Sequence, residues 1–389
     1  MMTNITDYVT EYGEKTLDEL PFNEVDSLVL SQFAYLKFDK LLLTGEKQND
    51  YMTIKELDLH PKKEEMFTDA RFADVNKGLF NAMADSRRFA NIKLFNYVNI
   101  VDAQWEIQFS AITCIFENGF IYIAYRGTDE SITGWKEDFN MSFMTPVPAQ
   151  EKAVQYLNIT AKDIRNPIIL GGHSKGGNLA VYAAMKCMED IRDRITGIYS
   201  HDGPGFVEGI LDSEDFARIK DRIRKSVPRS SIVGMVLQTQ ENYEVIRCRH
   251  FGILQHDPFN WITDGAAFKK ADSIHKHSYL GDASVNRWIS DMDYEKRQDF
   301  VELLFDIING SGATDLNEFK ADPIKMGKNI KDAYENLDED DKNNLRKILK
   351  NLSEAVNATI KDYISEQVED EKKKYEGKIK KIIKPFTPS

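Results

Sequence analysis

Cysteine is scarce in this chain: Cys114, Cys187 and Cys248 are the only three in 389 residues. An odd, sparse set in apolar or strand-like runs builds no disulfide framework. None of the three has metal-ligand spacing, so they read as buried thiols of a reducing compartment. Long hydrophobic runs are missing too. No stretch of about 18 apolar residues occurs, so no membrane-spanning helix is expected. The opening "MMTNITDYVTEYGEKTLDELPF" carries early acids and lacks the apolar segment of a secretory leader. A cytoplasmic location is the expectation. Positive charge is in deficit, with a formal net charge of −12. Phosphate binding needs a basic face, so no nucleic-acid partner is expected. The phosphate-loop spacing G-x-x-x-x-G-K-[ST] is also absent.

What is present is enough apolar material for a large core, 42% hydrophobic and 11% aromatic. The length suits one large domain with a smaller appended region. Residues 1–100 read as a helical segment packed on the core, with "FNEVDSLVLSQFAYLKFDKL" apolar at helical spacing. The period then changes. "WEIQFSAITCIFENGFIYIAYRGTD" reads as two strands joined at Asn118-Gly119, the dipeptide of a two-residue hairpin in which both residues take positive φ. Helices are expected at "AQEKAVQYLNITAKDI", "GNLAVYAAMKCMEDI" and "SEDFARIKDRI". Strands are expected at "NPIILGGHS", "ITGIYSHDGPG", "SSIVGMVLQ" and "YEVIRCRHFGIL". Alternation of this kind predicts an α/β core over residues 101–285, its mainly parallel sheet covered on both faces and made mixed by the hairpin.

Residues 286–389 read as a helical C-terminal region. "YEKRQDFVELLFDIING" is amphipathic and ends on a glycine cap, and Leu345 to Ile364 carry one apolar stripe. The lysine-rich end "EKKKYEGKIKKIIKPF" reads as a solvated helix end, with peripheral contact to an anionic surface as the alternative.

The chemistry concentrates in "PIILGGHSKGGNLAVYAAMK", where Gly172-His173-Ser174-Lys175-Gly176 matches G-x-S-x-G. Alone that pattern is weak. Its context of strand, abrupt turn and helix is that of a nucleophile elbow, whose strained serine needs small flanking residues. Gly171, Gly172, Gly176 and Gly177 supply them. The helix start aims free N–H groups at a developing anion. A serine of ordinary pKa needs a base, and the base an orienting acid, in the chain order Ser, acid, His. His256 in "GILQHDPFNW" follows the last core strand, where the base belongs, with His275 and His277 as alternatives. His201 comes too early, and His250 sits inside an apparent strand. For the acid, Asp202 in "YSHDGPGF" is chosen over Asp257, Glu241 and Glu244. The two oxyanion donors are then the backbone N–H of Lys175 and that of Thr128 in "YRGTD", where Gly127 lets the chain turn in closely and the Thr128 hydroxyl is a further donor. Asp129 is expected to hydrogen-bond within that loop.

"IAYRGTDESITGWKEDF" followed by "GGHSKGGNLA" resembles the class 3, fungal-type triacylglycerol lipases, and more closely a bacterial family of class 3-lipase-like proteins. That family shares "PFNEVDSLVLSQFAY", "VPRSSIVGM" and "QHDPFNW", so the resemblance covers roughly residues 17–310. It implies an α/β-hydrolase fold and serine hydrolase chemistry on lipid or ester substrates. In it Ser174 corresponds to the nucleophile, Thr128 to the oxyanion residue and His256 to the base. Two departures stand out. Class 3 lipases carry their acid where this chain has the serines of "VPRSSIVGM", and Lys175 replaces an apolar residue. Lys175 is expected to pair with an acid such as Asp129, and Arg126 and Asp138 to serve as structural ion-pair residues flanking Trp135. "FNMSFMTPVPAQ" reads as an acyl-channel wall or lid, or as core. The expectation is a serine hydrolase of carboxylic esters such as lysophospholipids, acylglycerols or thioesters, using Ser174, His256 and Asp202 and no cofactor. An inactive hydrolase-fold binding or scaffold protein, and an acyltransferase, are the alternatives.

Overall fold

The computed structural model describes residues 3–39, 41–42, 51–68, 72–237, 242–250, 252–274, 284, 286–289, 291–313, 315–351 and 354. Eight strands form one sheet in sequential order: β1 (Met52–Thr53), β2 (Lys93–Asp102), β3 (Ile107–Ile115), β4 (Ile121–Tyr125), β5 (Ile168–His173), β6 (Ile195–His201), β7 (Ile223–Pro228) and β8 (Glu244–Ile246). From β1 to β4 neighbours run antiparallel, and from β4 to β8 they run parallel. β4 and β5 are buried at every position, because helices cover both of their faces.

The period-2 alternation of a strand splits the core in two. Tyr122 and Ala124 of β4 face one cluster, packed with α1 (Ile5–Tyr12), α2 (Glu24–Phe33), α3 (Ile54–Asp58) and α4 (Ala73–Asp85). Ile121, Ile123 and Tyr125 face the other, packed with α6 (Pro148–Ala161) and α7 (Lys175–Lys186). Between them in sequence, α5 (Ile132–Asn140) follows the β4 loop. After the short α8 (Glu189–Arg192) and α9 (Glu214–Ala217) come α10 (Tyr294–Gly310), α11 (Leu316–Ala321) and α12 (Pro323–Glu335). A third cluster joins these last helices to the chain around α5, through Ile132, Phe143, Phe300, Val301 and Phe305.

A buried ion pair ties α2 to the chain between α4 and β2. Arg88 donates to Asp26 at 2.7 and 2.5 Å and also to the carbonyls of Lys15, Thr16 and Leu20. One guanidinium thus fixes the entry to α2, whose own N-terminus is closed by an Asn23–Asp26 capping box.

Several local expectations need correction. β2 lies inside the segment read as helical; it pairs with β3 and carries a register shift between Phe95 and Val98. The β3–β4 connection is not a two-residue turn. Gly119 N–H bonds Phe116 carbonyl at 2.8 Å and only Gly119 has positive φ, so Glu117 and Asn118 form the turn and the glycine takes the left-handed place after it. "SEDFARIKDRI" yields only α9, a short 3-10 turn and the start of β7. The strand read in "SSIVGMVLQ" is instead a turn and a 3-10 helix at Val233–Met235. "YEVIRCRHFGIL" supplies only the three residues of β8, and His250 lies beyond it. At the end of α10, Gly310 is still helical, Ser311 is the C-cap, and Gly312 takes the positive φ of 76°. The apolar stripe beyond Leu352 and the lysine-rich tail lie outside the described residues.

Candidate active site

β5 ends at His173 and α7 begins at Lys175, so Ser174 alone makes the turn. It does so with φ 58° and ψ −134°, a strained conformation for a residue with a Cβ. Two glycines make room. A Cβ on Gly172 would lie 2.2 Å from the Gly176 carbonyl carbon, and one on Gly176 would lie 2.1 Å from the Tyr125 carbonyl oxygen. The Ser174 N–H is tied to the carbonyl of His201, at the end of the neighbouring strand, at 2.9 Å.

Asp202 follows β6 directly and also takes a positive φ, 52°. Its side chain is fully buried. One carboxylate oxygen, Oδ2, lies 2.6 Å from His256 Nδ1. The other accepts the Ser231 hydroxyl at 2.5 Å and the Gly234 N–H at 3.2 Å. An ionised carboxylate only accepts, so Nδ1 carries the imidazole proton and Nε2 is left as the acceptor. Ser231, one of the two serines of "VPRSSIVGM", is therefore part of this acid's setting. Lys225 lies close by, donating to the Gly234 carbonyl at 2.6 Å; burial pushes its pKa down to about 8 against the pull of Asp202.

His256 ends a 3-10 turn, Gly252–His256, and is held by its backbone as well as its ring. His173 Nε2 lies 2.8 Å from the His256 carbonyl oxygen, so that nitrogen donates, while its Nδ1 faces the Tyr35 hydroxyl at 3.3 Å. The two imidazole rings lie 4.5 Å apart. Asp257 caps the following turn through the Phe259 N–H at 3.0 Å, so Asp202 and not its sequence neighbour meets the His256 ring. His201 points elsewhere: its Nε2 shares a hydrogen bond with Ser27 Oγ at 2.9 Å, and burial pushes its pKa down to about 3. Glu244 pairs with Lys270 at 2.6 Å. His275, His277 and Glu241 lie outside the described residues.

The "RGTD" loop lies against the elbow. A Cβ on Gly127 would lie 2.1 Å from the Tyr35 hydroxyl and 3.1 Å from Ser174 Cβ, so only glycine fits. Thr128 Oγ1 donates to Asp138 Oδ2 at 2.5 Å. Its single hydroxyl hydrogen is thus committed, leaving the backbone N–H as the donor Thr128 offers the cavity. Burial pushes Asp138 up to about 6, although the Lys175 ammonium 3.7 Å away and the Thr128 hydroxyl both pull it down.

The expected Lys175–Asp129 pair does not form. Lys175 reaches under α5 to Glu137 at 2.9 Å and to the Gln108 carbonyl at 3.0 Å. Asp129 is occupied by Arg126 at 3.1 Å and by Ser131. Arg126 and Asp138 therefore each meet an opposite charge, but not one another. Glu137 also accepts the N–H groups of Gln108 and Ala149 at 3.1 and 2.7 Å, a junction that no sequence pattern announced.

Ser174, Thr128, Lys175, Asp138 and His256 line one apolar cavity of about 470 Å³. Its remaining walls come from Phe139 and Met141 after the "RGTD" loop, from Ile232 and Val236 beyond β7, and from Trp288, Met292 and Phe300 of the C-terminal region. "FNMSFMTPVPAQ" divides between the two roles expected of it: Met141 and Ser142 line the cavity, and Phe143 is core. Among the described residues no group of His, Cys, Asp or Glu is placed to hold a metal ion, and no helix is long and apolar enough to cross a membrane.

The family model described as Mbeg1-like matches residues 83–306, more than half of the chain and all of the strands from β2 onward. The chain belongs to the Mbeg1-like family. Solved structures similar to this Mbeg1-like chain include several lipases. M37 lipase is 16% identical over 55% of this chain and 70% of its own, with a TM-score of 0.36. The lipase of Rhizopus microsporus var. chinensis is 16% identical over 62% and 89%, with a TM-score of 0.31. A triacylglycerol lipase with a serine protease triad at its catalytic centre is 15% identical over 53% and 70%, with a TM-score of 0.32. No curated protein matches the sequence. The Mbeg1-like chain has the lipase class 3-like α/β-hydrolase fold expected from its sequence: a mixed, mainly parallel sheet with helices on both faces and a strand–serine–helix elbow.

Proposed function

We propose that this protein is a serine hydrolase that cleaves carboxylic esters of apolar acyl chains. The observation that carries the reading is the 2.6 Å contact between His256 Nδ1 and a doubly held Asp202, beside a strained Ser174 at the wall of an apolar cavity. In this reading Asp202 fixes the imidazole tautomer, His256 Nε2 takes the Ser174 hydroxyl proton, and Ser174 Oγ attacks the ester carbonyl. The oxyanion that forms is received by the backbone N–H groups of Lys175 and Thr128, each worth roughly 10² to 10³ in rate. The tetrahedral adduct collapses to an acyl-serine as His256 returns the proton to the leaving alcohol. Water, deprotonated by the same imidazole, then releases the acid. The side chains present supply every proton transfer, so the cycle requires no cofactor.

Lys175 takes part only through its main chain. Its ammonium is neutralised by Glu137, which favours an anchoring role over recognition of an anionic substrate. The apolar cavity favours a lipid-like acyl group over a small polar one.

The test is covalent labelling with a fluorophosphonate, read by intact mass on the wild type and on Ser174→Ala and His256→Ala. Rapid labelling of the wild type alone is expected. A folded wild type that stays unlabelled would overturn the reading and leave a hydrolase-fold binding protein in its place.

A further inference from the structure

The cavity wall holds a cation that meets no counter-ion among the described residues. Arg297 sits on the first turns of α10, half-buried in the cavity wall contributed by the C-terminal region. Its Nε donates to the Met292 carbonyl at 2.9 Å and its Nη1 to the Ser142 carbonyl at 2.8 Å. These two bonds fix the plane of the guanidinium between residues that themselves line the cavity. Among the described residues, Nη2 has no hydrogen-bond acceptor and no carboxylate comes within ion-pair distance of the group. Three other cations around the reacting centre are paired with carboxylates. Lys175 has Glu137, Arg126 has Asp129, and Lys136 has Glu106 and Glu302. The nearest acids acting on Arg297 do so from farther off. Asp293 is already paired with Lys296 at 2.5 Å, and Glu208 is exposed.

A guanidinium stays charged at any ordinary pH, so burial cannot neutralise it, although burial does lower its pKa. Holding such a charge half out of water without a partner costs stability. Its planar fork, with two bonds already made, leaves the outer edge preorganised for a carboxylate or phosphate oxygen. The reacting centre lies in the same cavity, but its charges do not compete for that role: Asp138 holds Thr128, and Asp257 caps its own turn.

We propose that Arg297 binds an acidic group on the substrate, so that the preferred ester is an anionic amphiphile whose apolar chain fills the cavity and whose phosphate or carboxylate meets the guanidinium. This deepens the hydrolase reading and rests on it for the word substrate. The binding claim itself stands on the cavity alone. Arg297 is then a specificity-determining residue, and the C-terminal region sets which esters the reacting centre receives.

The experiment measures binding of decyl phosphate, decanoate and decanol to the full chain by calorimetry, below the concentrations at which they aggregate, for the wild type, Arg297→Gln and Arg297→Lys. None of the three ligands contains an ester, so the result is independent of whether Ser174 reacts. The wild type is expected to bind at least one of the two acids about tenfold or more tighter than the alcohol, the range of a charge-assisted hydrogen bond. Arg297→Gln removes that ratio, and Arg297→Lys keeps part of it. A role limited to bracing Met292 and Ser142 would weaken all three ligands together and leave the ratio intact. That result, or a wild type that binds acid and alcohol alike, overturns the proposal.

Discussion

Asp202 is the residue on which the proposed reaction most depends, and its two oxygens are treated differently by the chain. One faces the imidazole, while the other is held by Ser231 and by the Gly234 N–H. Removing the Ser231 hydroxyl leaves a buried carboxylate oxygen with a single long bond. Ser231→Ala is therefore expected to cost about 1.5–3 kcal/mol of stability. It should also lower kcat about tenfold, because a carboxylate free to turn lets the imidazole turn with it. Urea unfolding and steady-state kinetics on one ester would measure both, and an unchanged kcat would show that Gly234 alone suffices. Asp138 offers a test by pH. Its pKa is raised to about 6 by burial, so the stability it contributes is present below the ordinary carboxylate range and is lost as pH rises through about 6. Asp138→Asn removes that loss and keeps an acceptor for Thr128. The melting temperature of the variant relative to wild type should be higher at pH 8 than at pH 4, and a difference that is flat with pH would contradict this. Ser174, its glycines and the "RGTD" loop were legible in the sequence because each sits in a local pattern. The Ser231–Asp202 bond was not, since it joins residues 29 apart through a turn that the sequence reads as a strand.

At the level of elements, the elbow and the "RGTD" loop are locked to one another through α5. Lys175 opens α7, Glu137 lies on α5, and Glu137 also accepts N–H groups from β3 and from the start of α6. Both charges are fully buried, so breaking the pair by Lys175→Met strands Glu137 and should cost about 3–5 kcal/mol. Adding Glu137→Gln, which removes the stranded charge and keeps one of the two N–H bonds on its single amide oxygen, should recover part of that loss. A double-mutant cycle by denaturant unfolding checks it, and additive losses would mean that the two groups do not depend on each other. Apart from α5, the order of elements from β3 to α7 could be read from period and turn chemistry, since β4 and the start of β5 are apolar runs and α7 is continuous. β2 was hidden because its burial alternates irregularly across the register shift at Phe95 and Val98, which erases the period-2 signal. α9 was overestimated because "SEDFARIKDRI" has helical composition, yet after Ala217 the chain passes into a 3-10 turn at Lys220–Arg222, and Ile223 is drawn into β7 by pairing with β6. There, tertiary contact outweighs local propensity.

At the scale of the whole molecule, the N-terminal helices and the sheet share a buried polar seam at His201, Ser27, Ser31 and Tyr122. His201 is kept neutral there, its pKa pushed down to about 3 by burial. A depressed pKa contributes stability that is present above the unfolded value near 6.5 and is lost as pH falls toward about 3. The loss approaches about 1.4 kcal/mol per pH unit within that window. Acid unfolding followed by circular dichroism should begin below about pH 6, and His201→Gln should make the acid limb shallower. An identical limb in the variant would place the acid sensitivity elsewhere.

The cavity is a two-part construction. The sheet and its loops carry the proposed reacting groups, the last of them His256, and the chain beyond it, at Trp288, Met292 and Phe300, closes the space in front of them. Chemistry and selectivity are thus written in separate stretches of sequence. Relatives could exchange the later stretch and change diet while the earlier one stays fixed. A chimaera joining one member's residues through β9 (Thr263–Asp264) and β10 (Ala267–Phe268), which follow His256, to another's C-terminal helices should inherit its substrate range from the donor of the helices.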